Sequence, residues 1–393
     1  MVVRRVTPLR LLAAFTLAAS ALVGPAHAAA GPDPWVRSWG TNTAGQLGNG
    51  STLRQPTPGE VFGLRRADVR SISAGGNDDN GFAVALLGDG TLRSWGSNAQ
   101  GRLGNNSLTD QPFPAAVAGL SGVDAVDAGL DHVLALKEGR VYAWGGNAHG
   151  QLGIGVTGGT DGARRVPVEV PGLEGVTAIG AGCEFSVALG ADGTVRTWGY
   201  NNRGQLASGD NETRNTPFPV PGLTDVTAIS VGCLHVLALT DRGTVKAWGW
   251  GNEGALGNDS TANSATPVDV LHLKNVTHVS TGGWTSYART ADGTVKGWGW
   301  NGNGQIGDGT TVNRTTPVRV DALRGARDVT GGWDYTVAAL DSGAVVSLGN
   351  DAQGQLGDGG AAAVVAEPVT ALPAGSGVTH VTAPPRGTFA FAY

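Results

Sequence analysis

Long runs of the helix formers leucine, alanine, glutamate and lysine are almost missing from this 393-residue sequence, which contains one methionine. Charged residues are also few, at 15% of the chain. Glycine is abundant instead, with 65 residues, well above its ordinary share of about 7%. Such a chain is predicted to have many turns and small loops and to be poor in helices.

Clusters of lysine and arginine are missing too, and the formal net charge at pH 7 is −5. Nucleic acids and anionic membranes bind proteins through basic patches, so neither is an expected partner. The sequence has no G-x-S-x-G or H-E-x-x-H motif, and its two Gly-Asp-Gly triplets lack further oxygen ligands at a spacing suited to calcium. We therefore expect no metal and no cofactor, and the sequence favours a non-catalytic protein over an enzyme.

The first 28 residues have the layout of a secretory signal peptide, with three arginines, an apolar stretch at 11–23 and the cleavage-site pattern "AHA" at 26–28. Their removal would leave 27 − 3 = 24 basic and 32 acidic residues, a net charge of −8. No stretch reaches the roughly 18 apolar residues of a spanning helix. We expect a secreted, soluble protein with a linker at 29–34 and one folded domain at 35–393.

A twelve-residue segment, here called the tag, recurs seven times. The copies begin at Trp39, Trp95, Trp144, Trp198, Trp248, Trp298 and Leu348. The copy at Trp298, "WGWNGNGQIGDG", contains the G-x-G-x-x-G pattern of a dinucleotide-binding turn, yet "DGTTVNRTTPVRV" after it has no helical period. Its middle glycine, Gly302, is not repeated in the other tags, whereas Gly304 recurs in all seven. The tag is therefore interpreted as a tight loop in which one glycine takes a special backbone conformation.

Each tag belongs to a unit of about 50 residues that reads as four short strands. One complete unit, 226–273, contains "VTAISV", "HVLALT", "TVKAWG" and, after the tag, "TPVDV". Proline is tolerable in the fourth strand if that strand lies at an outer edge. The first tag lacks its leading strands, and the C-terminus supplies only such strands. The prediction is an all-β fold, a seven-bladed β-propeller in which N- and C-terminal strands close one blade.

The tags, read as W-G-x-N-x-x-G-Q-L-G, and the G-x-x-H-x-x-A-L strands at 129–136 and 232–239 resemble the repeats of the regulator-of-chromosome-condensation family. The resemblance covers residues 35–393 and implies the seven-bladed propeller. It is less informative about function, because one fold hosts unrelated activities.

Three activities of that family can be compared with this chain. The nuclear exchange factor acts on a small GTPase and contacts chromatin, which an exported acidic chain does not fit. The plant ultraviolet-B photoreceptor has arginine after the tryptophan of its G-W-R-H-T repeats. This sequence has Thr285 and Asp334 there, so the cation–π and salt-bridge arrangement of the photoreceptor is not expected in it. The secreted actinobacterial β-lactamase inhibitor of the family also places aromatic residues directly after the glycine of the G-x-x-H pattern. Its repeats are shorter and lack the "GQLGNGST" insert, so this likeness is partial.

The residues that follow this glycine differ from repeat to repeat, and in a propeller they would converge on one face around the central channel. Variable loops on a repetitive scaffold commonly carry binding, and Trp and Tyr are favoured interface anchors. The candidate binding ring is Trp284, Trp333, Asp334, Tyr335, Phe185, Glu184, Asp131, Asp78 and Asp79. The alternative is that these are ordinary loop residues whose aromatics pack between blades. The tag tryptophans recur in one register, as a packing role requires, and are assigned to the core.

Two further residue types have structural interpretations. His132 and His235 occupy equal registers two blades apart, too far to share a metal, and are interpreted as structural histidines. Cys183 and Cys233 share a register in adjacent blades of a chain expected to be exported, which makes a disulfide plausible. Equivalent atoms of neighbouring blades can exceed the Cα separation of about 7 Å that a disulfide allows. We therefore expect two buried thiols in preference to a disulfide.

Two functions remain open on the sequence alone. The first is a secreted, monomeric, non-catalytic propeller that binds a protein through the candidate ring, with inhibition of an extracellular enzyme as one form of it. The alternative is an enzyme or a binder of glycans or small molecules that uses the central-channel face. For the enzymatic form of this alternative, Asp131 and Glu184 are an example of loop acids that would pair as general acid and base, although nothing in the sequence requires them to.

Overall fold

Strands of four to six residues, separated by glycine-containing turns, dominate the computed structural model, which describes residues 34–158 and 162–393. The predicted signal peptide and the linker up to residue 33 lie outside the described residues. In chain order the strands are β1 Trp35–Gly40, β2 Gln55–Arg65, β3 Val69–Gly75, β4 Phe82–Leu87, β5 Leu92–Gly96, β6 Gln111–Ala116, β7 Ala125–Ala128, β8 His132–Lys137, β9 Arg140–Gly145, β10 Arg164–Glu169, β11 Val176–Ala181, β12 Phe185–Gly190, β13 Val195–Gly199, β14 Arg214–Pro219, β15 Val226–Val231, β16 His235–Thr240, β17 Val245–Gly249, β18 Ser264–Asp269, β19 Val276–Thr281, β20 Thr285–Thr290, β21 Val295–Gly299, β22 Arg314–Arg319, β23 Ala326–Gly331, β24 Tyr335–Leu340, β25 Val345–Gly349, β26 Val365–Leu372, β27 Val381–Thr382 and β28 Phe389–Ala392.

Helix is limited in the described residues to the 3-10 turns Arg66–Asp68, Ala99–Gly101, Asn252–Gly254 and Asp321–Leu323. This agrees with a composition poor in helix formers. Among the described residues, no helix has the length and apolar character needed to cross a bilayer.

The strands form seven four-stranded antiparallel sheets, which confirms the predicted seven-bladed propeller. Blades 1 to 6 consist of β3–β6, β7–β10, β11–β14, β15–β18, β19–β22 and β23–β26 in that order. The closing blade has the strand order β2-β1-β28-β27, with Gly40 opposite Phe389 where the two chain ends pair. Because this pairing joins the ends of the chain, the ring is closed in the predicted way.

Hydrogen bonds between successive tags join the blades into a ring. The indole nitrogens of Trp39, Trp95, Trp144, Trp198, Trp248 and Trp298 each donate, at 2.8–3.0 Å, to the backbone carbonyl of the eighth tag residue in the preceding blade. All six side chains are 0% exposed, so the assignment of the tag tryptophans to the core is confirmed. In the seventh tag Leu348 has no donor, and the hydroxyl of Tyr287 donates to the Gln305 carbonyl instead, at 2.7 Å.

The tag loop is built on an asparagine and a glycine. In the tag at Trp298, Asn301 Oδ1 accepts from the Ile306 amide at 2.9 Å, and Asn301 Nδ2 donates to the Thr310 carbonyl at 2.9 Å. The glycine at the seventh position of each tag, Gly304 here, has a φ between +70° and +86° in all seven copies. Gly302 is not among the glycines with positive φ. The interpretation of the tag as a loop, and not as a nucleotide-binding turn, therefore agrees with the backbone.

The innermost strands of the seven blades, β3, β7, β11, β15, β19, β23 and β27, surround a central channel with a cavity of about 300 Å³. The fourth strand of each blade lies at the outer edge, as its prolines require.

Cys183 and Cys233 form a disulfide, with their Cα atoms 4.6 Å apart, so the expectation of two buried thiols was wrong. The reason is that blades diverge outward but converge at the channel, where these residues lie. The Cys183 amide donates to the Cys233 carbonyl at 3.0 Å, so equivalent backbones of neighbouring blades are in direct contact there.

Candidate functional site

The loops that join the first and second strands of each blade are here called the channel loops. They comprise residues 76–81, 129–131, 182–184, 232–234, 282–284, 332–334 and 383–388. Because neighbouring strands are antiparallel, these loops and the tags lie on the same face of the propeller, here called the loop face. Backbone hydrogen bonds connect the two sets, as where the Trp300 amide donates to the Trp284 carbonyl at 3.0 Å. The loop face therefore includes the third residue of each tag.

The channel loops touch one another over the channel. The Gly283 amide donates to the Gly332 carbonyl at 3.0 Å, and Asn77 forms an isolated bridge with Arg386. A Cβ atom on Gly283 would collide with the carbonyl oxygen of Pro385, which lies two blades away. The channel is thus narrowed on this side by loop backbone, and the loop face is no wide funnel.

Four tryptophans form a cluster on the loop face. The Trp284 ring lies 4.1 Å from Trp250, 4.7 Å from Trp333 and 6.1 Å from Trp300, measured between ring centroids. Trp250 is 7% exposed, whereas Trp284, Trp300 and Trp333 are half-buried. The two predicted tryptophans, Trp284 and Trp333, are therefore brought together at the surface, while their role in an interface stays a prediction.

Arg386 completes this cluster. Its guanidinium carbon lies 4.8 Å from the centroid of the Trp333 ring, a cation–π arrangement. The residue is exposed and belongs to the closing blade, yet its charge partly offsets the burial that raises the pKa of Glu184 in blade 3. Arg386 thus lies near the centre of the loop face, between blades that are far apart in sequence.

Sequence reasoning missed Trp250, Trp300 and Arg386. Both tryptophans are the third residue of a tag, a position occupied elsewhere by Thr41, Ser97, Gly146, Tyr200 and Asn350. That variability inside an otherwise uniform tag was the available signal. Arg386 is part of a channel loop that does not keep the glycine register, so its pairing with Trp333 could not be read from the sequence.

Phe185 and Tyr335 are not on the loop face, and the prediction for these two is corrected. Both side chains are 0% exposed, and the Tyr335 hydroxyl donates to the Phe389 carbonyl at 2.5 Å. They begin the second strands of their blades, in the register of His132. Since that register points into the core, the structural interpretation of His132 applied to them as well.

Three of the predicted acids accept hydrogen bonds from within the protein. Asp78 accepts from the amide and hydroxyl of Thr388 at 2.8 and 2.6 Å. Asp131 accepts from Gln151 at 3.0 Å. Asp334, which is 7% exposed, accepts from Asn350 at 2.6 Å and from Gln355 at 3.4 Å. These three carboxylates therefore stabilise the loops through hydrogen bonds.

Burial affects these acids differently. Burial raises the pKa of Asp334, and its hydrogen bonds offset this only in part. Burial would also raise the pKa of Asp131, but hydrogen bonds and the nearby charges of His132 and Arg102 outweigh it and lower that pKa. The two loop acids therefore differ in protonation tendency because of their immediate partners.

Glu184 and Asp79 are the more accessible predicted acids. The Glu184 carboxylate lies 3.6 Å from His149 Nε2, and the His149 ring lies 4.3 Å from Tyr200. Burial raises the pKa of Glu184, and the charge of Asp131 raises it further. Asp79 is exposed. Asp131 and Glu184 therefore interact electrostatically, although each has its own internal partner.

His132 and His235 are 0% exposed, and their Nε2 atoms lie 2.8 and 2.9 Å from Ser186 and Ser286 of the next blade. Burial lowers the pKa of His235 to about 4, so it is neutral at pH 7. Their structural interpretation is confirmed. Within residues 34–158 and 162–393, no three His, Cys, Asp or Glu side chains lie together as a metal site requires.

Comparison with protein families adds to this geometry. The family model described as RCC1-like domain matches residues 13–283. Two models of the regulator of chromosome condensation (RCC1) repeat match residues 292–339 and 276–305.

Among curated proteins, the human E3 ubiquitin-protein ligase HERC2 is 32% identical over 187 residues, which cover 45% of this chain and 4% of that protein. The ultraviolet-B receptor UVR8 of Arabidopsis thaliana is 31% identical over 181 residues, covering 45% of this chain and 40% of the receptor. The matched segment thus spans less than half of either relative.

Two solved structures share the fold over nearly the whole chain. Prp20p of Saccharomyces cerevisiae has a TM-score of 0.79 and 21% identity, covering 92% of this chain and 91% of Prp20p. Human WBSCR16 has a TM-score of 0.79 and 20% identity, covering 92% of this chain and 98% of WBSCR16. At these identities the likeness concerns the fold alone.

Proposed function

This chain belongs to the RCC1-like domain family, and from that premise we propose that it is a secreted, non-catalytic propeller that binds another protein through its loop face. Secretion is proposed from the signal-peptide layout of the first 28 residues. Inhibition of an extracellular enzyme is the form that this binding takes if the partner's active site lies under the loop face.

The observation that carries the proposal is the cluster of Trp250, Trp284, Trp300 and Trp333. The tag tryptophans of the same protein are fully buried, whereas three members of this cluster remain partly exposed. Tryptophan is the residue most often found to dominate binding energy at protein interfaces. Since the channel loops narrow the opening beneath the cluster, a protein surface fits it better than a small molecule held in a deep funnel.

The family supports a protein partner. Prp20p was characterised for its binding to Gsp1p and histones, and it was also crystallised with Kap60. Those partners are not carried over to this chain, because a likeness at about 20% identity shows the fold alone. What is carried over is the use of the propeller as a platform for another protein.

Catalysis at the channel is the less favoured alternative. The carboxylates of Asp78, Asp131 and Asp334 already accept internal hydrogen bonds, so they are poorly placed to act as a free acid–base pair. The glycan-binding variant of this alternative would use the same tryptophans and is distinguished by the experiment below.

The experiment is a pull-down from secreted proteins and cell-wall fractions with the wild-type protein, the double variant W284A/W333A and a matched control. The control is Phe62→Ala, since Phe62 is 66% exposed on outer strand β2. We expect wild type and F62A to capture the same protein and W284A/W333A to lose it, with all three showing the same circular dichroism spectrum. Equal capture by the double variant would refute this site, and capture of a glycan without a protein would favour the alternative.

A further inference from the structure

We propose that the loop face recognises a side-chain carboxylate, from an Asp or Glu on a protruding loop of the partner, and that Arg386 stacked on Trp333 receives it. This inference rests on the proposed protein-binding function and names the chemistry of the partner. It differs from the expectation that the acids of the ring would themselves be the ligands.

Four of the five predicted acids of the loop face already have internal partners, whereas Asp79 is exposed. Asp78, Asp131 and Asp334 each accept hydrogen bonds from loop or tag donors, as described above. Glu184 already lies 3.6 Å from His149. A basic partner group would therefore meet four carboxylates whose charge is already partly satisfied by internal donors.

Several hydrogen-bond donors of the loop face, by contrast, have no internal acceptor. The Arg386 guanidinium stacks on Trp333 and acts electrostatically on Glu184. It forms no hydrogen bond or ion pair with a described residue. Three buried donors of this face, Trp284 Nε1, Gln305 Nε2 and Gln205 Nε2, also lack an acceptor among the described residues. The equivalent glutamines Gln151 and Gln355 donate to loop acids. In blade 5 Trp284 stands where those two blades have an acid, so Gln305 has no acceptor. In blade 3 the acid is Glu184, which lies against His149, and Gln205 has no acceptor either.

Stacking suits Arg386 for this task. A guanidinium that lies over an aromatic ring keeps its N–H groups directed outward in its own plane, where a carboxylate can accept two of them. The Trp333 ring excludes water from one side of the guanidinium, which strengthens its interaction with an anion. An acidic side chain of the partner would thus gain a paired, partly desolvated contact beside the tryptophan anchors.

The position of Arg386 favours a loop of the partner. Its backbone forms a bridge with Asn77, and Pro385 approaches Gly283, so the residue lies where loops from separate blades converge. A partner that reaches this centre is surrounded by the other channel loops. A protruding loop makes contacts on all sides there, and we commit to a side-chain carboxylate as the source of the anion.

The test uses a phage library of cyclic peptides without a free C-terminal carboxylate, selected against the full chain. The best peptide is then measured by calorimetry against wild type, R386A, R386K, W284A/W333A and the control R242A. Arg242 is an exposed arginine in the hairpin turn between β16 and β17, on the opposite face. The acid of the peptide is also changed to its amide.

We expect the selected peptides to contain an essential Asp or Glu. R386A should weaken binding at least about 10-fold, R386K should restore part of the loss, and R242A should have no effect. Changing the peptide acid to its amide should weaken binding to wild type by a similar factor and cost nothing further on R386A. Such non-additivity shows that the two groups interact directly.

Peptides that need Trp284 and Trp333 but bind R386A as well as wild type would overturn the carboxylate inference and leave the proposed function standing. The same holds if the acid-to-amide change costs nothing on wild type. Peptides that bind W284A/W333A undiminished would instead contradict the proposed binding site itself.

Discussion

The tags and the channel loops adjoin on one face of the same blades, yet they differ in how much they vary. Six tags donate an indole N–H to the preceding blade in the same geometry, and all seven share a glycine of positive φ. The channel loops contain, at equivalent places, a tryptophan pair, a disulfide or an acid. The tag positions that join the blades are thus nearly the same in every repeat, whereas the channel-loop positions, which do not join the tags, differ between repeats.

The largest expected effect is on a tag. Trp198→Ala removes a fully buried indole and its 2.8 Å hydrogen bond to the Gln151 carbonyl. Replacement of a buried aromatic by alanine costs about 3–5 kcal/mol, and we expect a loss of that size in the free energy of unfolding. Denaturant unfolding followed by circular dichroism measures it. A loss below about 1 kcal/mol would mean that the contacts between tags contribute little to the stability of the closed ring.

The disulfide between two channel loops should have the next largest effect. The double variant C183S/C233S removes a link that closes a loop of 50 residues. We expect a loss of about 2–4 kcal/mol in unfolding free energy, since the unfolded chain gains freedom. The same variant should be insensitive to dithiothreitol, whereas wild type should lose stability on reduction. Titration of unfolded, unreduced wild-type protein should find no free thiol.

In the seventh tag Asp351 stands at the position where five of the other six tags have an asparagine whose amide donates to loop carbonyls; the tag at Trp248 has Gly251 there. Asp351 Oδ1 accepts from the Leu356 amide at 2.9 Å, but its Oδ2 is buried without a donor. Burial, together with the charge of Asp358, raises the pKa of Asp351 from 3.8 to about 6. Above pH 6 the folded protein therefore holds an unfavourable buried charge.

Asp351→Asn should stabilise the protein for this reason. A raised folded-state pKa contributes stability below the unfolded value, and that contribution is lost as pH rises through about 6. We expect D351N to gain about 2 kcal/mol over wild type at pH 8, and the gain to shrink as pH falls to about 4. Thermal unfolding at several pH values tests this. A gain that is independent of pH would exclude ionisation of Asp351 as the cause.

The sequence predicted the blades and the closure because these depend on repetition, which one chain displays seven times. It located Trp284 and Trp333 because both interrupt a repeated register. It misplaced Phe185 and Tyr335, although their register was that of the buried His132, because aromatic type was weighed above position. The disulfide, and the stacking of Arg386 on Trp333, depend on how closely loops of different blades approach. That approach is set by the ring as a whole, which no local pattern describes.

The smallest expected effect on stability belongs to a channel loop. Trp333→Ala removes a half-buried ring that packs on Trp284 and Arg386. This ring is not one of the tag tryptophans that join the blades. We expect the free energy of unfolding to fall by about 1 kcal/mol, well below the loss in W198A, because the Trp333 ring is only partly buried whereas that of Trp198 is fully buried. Partner capture should nevertheless fall sharply. If W333A lost as much stability as W198A, the tryptophan cluster would be part of the core and the prediction would be wrong. A small loss of stability together with a loss of partner capture would assign the exposed surface of the cluster to binding.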